Sequence, residues 1–126
     1  MITIEEIRDY IETFNFNESM CAIGQIDGER QKILACFEVD SPDQEQTPYD
    51  VGCHFQKTID LYIHWTDDFN ETDEKANEIY KTLFRRYNFN IPSGKHISYI
   101  IVDPVRDQYK DKYGIYNRSI RIKFIQ

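Results

Sequence analysis

The sequence predicts an α+β domain: an antiparallel sheet of four to five strands with two helices packed on one face. Three observations carry that prediction. Apolar residues recur at helical spacing in two separate segments, Ile4–Phe14 and Ala76–Leu83. Four other segments alternate apolar and polar residues with the period of a strand. Short turns join consecutive strand segments, which is the connection of antiparallel neighbours. The chain has 126 residues, 40% of them hydrophobic. That fits a single domain over residues 1–126, able to bury roughly two-thirds of the surface its unfolded chain exposes.

The expected order is α-β-β-β-α-β-β. Thr3 opens the first helix with Glu6 as its capping-box partner, and Ile4, Ile7, Ile11 and Phe14 form its stripe before Asn15-Phe16-Asn17 ends it. A short strand at Cys21–Gln25 leads into Asp27-Gly28, a hairpin-type turn signal. Gln31–Val39 then places Ile33, Ala35, Phe37 and Val39 on one face. Residues Asp40 to Gly52 read as a long acidic loop. The clearest strand follows, with Ile59, Leu61, Ile63 and Trp65 on one face and Thr58, Asp60, Tyr62 and His64 on the other. Asn70 or Thr72 is expected to cap the second helix, whose stripe is Ala76, Ile79, Tyr80, Leu83 and Tyr87. Strands at Lys95–Val102 and Ile115–Ile125, separated by a polar loop at Asp103–Gly114, complete the domain.

Charge and composition exclude several functions. The formal net charge is −7, which opposes binding to a polyanion, so no nucleic-acid partner is expected. The longest apolar run, Tyr99 to Val102, is far below the ~20 residues that span a bilayer, and the acidic N-terminal segment is unlike a signal peptide. A cytoplasmic protein with no membrane partner is the expectation. Three cysteines without a CxxC pair support neither a disulfide framework nor a zinc finger. The charge is uneven: residues 1–84 hold 6 basic and 19 acidic side chains, and residues 85–126 hold 9 and 3. Composition alone favours halves that interleave in space, so that the asymmetry cancels on folding; the alternative is a subunit with one acidic and one basic flank, suited to head-to-tail association with its own copies.

No catalytic or cofactor motif stands out. His54 and His64 lie ten residues apart on one strand, roughly 33 Å, too far for a shared ligand sphere. Asp67-Asp68 with Glu71 reads as a solvated helix cap rather than a cation site. No cofactor, metal or catalytic residue is therefore assigned. Aromatic residues point to contacts instead, because Tyr49, Tyr109 and Tyr113 lie in the two loops, where tyrosine commonly serves protein interfaces. The candidate interface residues are Asp43, Glu45, Tyr49, Asp67, Asp68, Arg106, Tyr109, Lys110, Lys112, Tyr113 and Arg121.

Four fragments resemble a known family. They are Ile23-Gly24-Gln25-Ile26-Asp27-Gly28 with the following Glu29-Arg30-Gln31-Lys32; Tyr49-Asp50-Val51; Ile63-His64-Trp65-Thr66 with Asn70-Glu71-Thr72, Ala76 and Leu83; and Gly114-Ile115-Tyr116. In this order they resemble the minor capsid proteins and tail terminators of long-tailed (siphovirus-type) phages and prophages of Gram-positive bacteria. The resemblance runs from about residue 21 to 125; the two loops depart from the family, the first more acidic and the second more basic. It implies an α+β structural virion protein without enzymatic activity. Such subunits form a ring, a hexamer, that caps the head-proximal end of the tail tube, stops tube growth and offers a surface to the head. The implied partners are further copies of the chain, the tail tube protein and a head-completion or neck protein. The implied location is the virion, with the host cytoplasm before assembly. A head–tail joining (neck) protein is the alternative within the virion. A small Cys/His-dependent enzyme using Cys53, His54, His64 or His96, and a monomeric adaptor, are alternatives of other classes.

Overall fold

A computed structural model describes residues 2–39 and 56–126, apart from the side chains of residues 107 and 108. The elements are α1 (Ile4–Glu12), β1 (Met20–Ile23), β2 (Ile33–Glu38), β3 (Gln56–His64), α2 (Phe69–Leu83), β4 (Tyr87–Asn90), β5 (His96–Val102), β6 (Arg106–Lys110) and β7 (Tyr116–Ile125). The class is α+β, as expected, but the described strands number seven, in the order β1-β2-β3-β7-β5-β4 with β6 also paired to β7.

The capping box forms as the sequence implies: Glu6 N–H donates to Thr3 Oγ1 at 3.3 Å, and Thr3 N–H donates to Glu6 Oε1 at 3.0 Å. Ile4, Ile7, Tyr10 and Ile11 are buried along one side of α1. Left-handed backbone at Asn15 and Asn17 then turns the chain into β1. On the central strands, Leu34 and Cys36 of β2, Ile59, Leu61 and Ile63 of β3, and Ile120, Ile122 and Phe124 of β7 are fully buried. Their registers, Leu34↔Ile63, Cys36↔Leu61, Ile59↔Ile122 and Leu61↔Ile120, place them on one face of the sheet. Both helices lay their apolar stripes into the core this face builds. Burying each of these large side chains stabilises the fold by ~1.5–3 kcal/mol.

The structure corrects the sequence reading at five places. First, β1 and β2 are parallel, so Asp27-Gly28 is no hairpin turn and the sheet is mixed. The nine residues between β1 and β2 suffice for the crossover because β1 is only four residues long, and Gly24, at φ +72°, turns the chain back at once. Second, part of the segment taken as the loop Asp103–Gly114 is strand, the five residues Arg106–Lys110. β5 and β6 run in succession along β7: Val102 pairs with Ile122, Asp103 N–H donates to the Arg121 carbonyl at 2.9 Å, and Arg106 pairs with Ser119. Four residue steps on one strand face three on the other, and a second shift falls between Arg106 and Tyr109. Two bulges of this kind shift the side-chain alternation and hide the strand from a period-two reading.

Third, α2 ends at Leu83, where Phe84 is extended and Arg85 is left-handed at φ 60°. Tyr87 therefore leaves the helix stripe for β4, where it is 74% exposed. Fourth, the N-cap of α2 is Asp68, whose Oδ1 accepts from Asn70 N–H at 2.8 Å and Glu71 N–H at 3.2 Å. Asn70 and Thr72 lie inside the helix. Fifth, the expected alternation of β2 is too simple, since Ile33, Leu34, Ala35 and Cys36 are all fully buried. Asp40–Gly52, with Asp43, Glu45 and Tyr49, lies outside the described residues, as do Cys53 and His54. No helix among the described residues is long and apolar enough to cross a membrane.

Candidate functional site

The segments that carry the family resemblance, Tyr49–Val51 aside, meet around His64, the last residue of β3. Its imidazole is 1% exposed. Nδ1 lies 2.6 Å from Asn117 Oδ1 on β7, and Nε2 lies 3.2 Å from the Gly28 carbonyl oxygen. Asp111, in the turn between β6 and β7, places Oδ2 3.4 Å from Nδ1. Asn117 Nδ2 donates to that same Asp111 oxygen at 3.2 Å and to the Ile115 carbonyl at 3.0 Å.

The turn is built by short-range chemistry. Asp111 Oδ1 accepts from the N–H groups of Tyr113 (2.9 Å) and Ile115 (3.1 Å), and Gly114 takes the left-handed conformation at φ +79°. Burial works against the charge on Asp111, but hydrogen bonds from Ile115, Asn117 and Tyr113, with the nearby His64, hold its carboxyl below the usual range. The Tyr113 ring lies over Gly28, and a Cβ at that position would come within 2.5 Å of it. Glycine is therefore the residue that lets the hairpin tip seat on this loop.

Next along the chain, Trp65 and Thr66 join three elements. Trp65 N–H donates to the Tyr116 carbonyl at 3.2 Å, Tyr116 N–H to the Thr66 carbonyl at 2.8 Å, and Lys32 N–H to the Trp65 carbonyl at 2.7 Å. Thr66 Oγ1 donates to Glu71 Oε2 at 3.0 Å and accepts from Asp68 N–H at 3.2 Å, tying β3 to the start of α2. The Phe69 ring meets Tyr116 edge-on at 5.8 Å, Lys75 Nζ sits 5.2 Å from the Trp65 ring centroid, and Arg118 pairs with Asp73. Each motif segment in the described residues thus has a structural task, the joining of the 24–32 loop, β3, α2 and the hairpin tip.

The interface candidates fall into separate groups. Lys110, Lys112 and Tyr113 gather at the hairpin tip, where Lys110 Nζ lies 5.6 Å from the Tyr116 ring centroid and Lys112 Nζ lies 5.1 Å from that of Tyr113. Tyr109 and Tyr113 are about half exposed. Arg121 forms a two-pronged pair with Asp60 at 2.9 and 3.0 Å, and Arg106 reaches the same carboxylate at 3.8 Å. Asp67 is exposed, and Asp68 is occupied as the cap of α2.

Sequence reasoning missed Tyr87, Tyr99 and Ile101. Tyr87 and Tyr99 are register partners on β4 and β5, Ile101 lies two residues further on the same face, and all three are 43–74% exposed. The signal was present in the mixed faces of Lys95–Val102, but no rule of alternation says which face stays open. His96 is exposed and bonded to Asn90 at 3.0 Å. Among the described residues no group of three or more His, Cys, Asp or Glu side chains is placed to hold a metal. The Cys36 contact and burial push the Cys21 thiol far above its ordinary range, the opposite of an activated nucleophile. Neither the family models nor the curated proteins compared with this chain match it.

Proposed function

We propose that this chain is a structural, non-enzymatic subunit of a tail-terminator type, which associates head to tail into a ring on the head-proximal end of a phage tail tube. The observation that carries the self-association is the exposed row Tyr87, Tyr99 and Ile101 at the β4 edge of the sheet. A contiguous apolar row of this kind on a small domain marks an interaction surface. Its occupant is a second copy of the chain, because the row is flanked by Arg85 and by Lys123, the register partner of Ile101. The other edge of the sheet, β1, carries a groove of about 290 Å³ lined by Met20, Ala22, Gln25, Ile26, Asp27 and Arg30, with Glu29 beside it in the chain. Row and groove are different patches, so their meeting is heterologous, the geometry that closes rings. The family resemblance supplies the tube end as the place where the ring forms.

The test is mass in solution over a range of concentrations, by light scattering after size exclusion, with negative-stain imaging of the chain mixed with purified tail tubes. Rings at high concentration or on one tube end are expected. A strict monomer that ignores tube ends overturns the reading, and binding to the portal complex in place of the tube moves the assignment to a neck protein.

A further inference from the structure

The hydrogen-bond inventory around His64 decides its charge. Asn117 can be oriented only one way: its Nδ2 faces Asp111 Oδ2 and the Ile115 carbonyl, and swapping the amide would set oxygen against both. Asn117 Oδ1 therefore faces His64 Nδ1, at 2.6 Å, and the Gly28 carbonyl faces Nε2, at 3.2 Å. Both oxygens only accept, so each ring nitrogen must donate.

We infer that His64 is a buried imidazolium, a latch that clips the 24–32 loop to the β6–β7 hairpin tip and opens when the ring loses a proton. Among the described residues, the groups that face it are Asp111 from the hairpin turn, Asn117 from β7, the Gly28 carbonyl from the loop and Ile33, its register partner, from β2; of these Asp111 carries the charge. Its carboxylate is kept ionised by the backbone N–H groups of Tyr113 and Ile115, which gives the buried cation a fixed counter-charge. The two bonds to the imidazole are unequal. The shorter one, to Asn117, keeps the remaining proton on Nδ1 after deprotonation, and the bare Nε2 lone pair then points at the Gly28 carbonyl. That contact turns from attractive to repulsive, and Gly28 carries the seat of Tyr113 with it. Proton binding thus favours the clipped state, and rising pH releases the loop and the tip together. The inference concerns the chain alone and stands whether or not the ring proposal does.

The experiment is ring-nitrogen and backbone NMR of the full chain, labelled with nitrogen-15, from pH 5 to pH 9, with His64 assigned through a His64→Gln variant. Two protonated nitrogens are expected on His64 at the acid end. On deprotonation the amide signals of Gly28, Glu29 and Tyr113 should move together, and Asp111→Asn, which removes the facing carboxylate, should make the ring release its proton at lower pH. The Asp111 variant keeps the test usable if His64→Gln does not fold, because the wild-type ring signals then stand on their own. A ring with one protonated nitrogen throughout, or one that keeps or loses its proton without moving Gly28, overturns the inference.

Discussion

Among the described residues, Glu6 is the carboxylate held furthest below its ordinary range. Hydrogen bonds from Lys95 and then Ser93 outweigh the cost of burial and, with Thr3, bring its carboxyl from an ordinary 4.5 to about 2. A depressed carboxylate contributes stability above its unfolded value and loses it as pH falls through its folded value. Glu6→Gln keeps the capping box, because glutamine serves at that position as well, and removes only the charge. The variant is expected to be less stable than the wild type at pH 6, with the two converging as pH falls from about 4.5 to about 2. Thermal unfolding across that range checks it, and Asp111, also depressed, adds to the same acid limb in both proteins. At this scale the sequence was half legible. Thr3 and Glu6 declare themselves by spacing, since both ends of the box are local. His64 stood out as a residue type, but its partners come from Gly28 and Asn117, which are 36 and 53 residues away, and no periodicity connects them.

Elements were legible where a single face is buried and illegible where the chain breaks its own period. β3 and the apolar half of β7 read correctly because hydrophobic alternation continues without interruption. β6 did not, because two bulges and the polar run from Arg106 reset the pattern. β4 did not, because four residues beside a helix end look like the helix's continuation. Parallel pairing of β1 and β2 was beyond reach, as Asp27-Gly28 carries a hairpin signature in a segment that in fact crosses over. The start of α2 shows how a one-turn error arises: Asp68, Asn70 and Thr72 all have capping chemistry, and the choice is made by Thr66, which binds the Asp68 backbone and Glu71 side chain. Replacing the true cap is the discriminating measurement. Asp68→Ala should cost about 1 kcal/mol in denaturant unfolding, while Asn70→Ala, inside the helix, should cost less than half of that.

Across the whole molecule, the charge asymmetry of the sequence is partly spent within the chain. Arg121 and Arg106 converge on Asp60, Arg118 meets Asp73, and Lys95 meets Glu6, so basic residues of the C-terminal third are matched to acidic residues of earlier segments. These contacts separate two kinds of charge that composition alone merges. Arg121→Glu sets a carboxylate beside Asp60 and breaks a two-pronged, partly buried pair, so it should lower folding stability by about 1–3 kcal/mol whatever the oligomeric state. Arg85 is different. It is exposed, stacks over the half-exposed Phe84 at 5.1 Å and borders the Tyr87 row. Arg85→Glu should leave the unfolding midpoint of the monomer nearly unchanged and weaken self-association. Added salt should weaken the wild type in the same direction, since an exposed charge acts at the contact rather than in the core. Sedimentation at several salt concentrations, read beside thermal unfolding of the same samples, tells the two apart. If Arg85→Glu and salt both leave the association untouched, charge does not steer the contact, and the apolar row must hold the copies together without it.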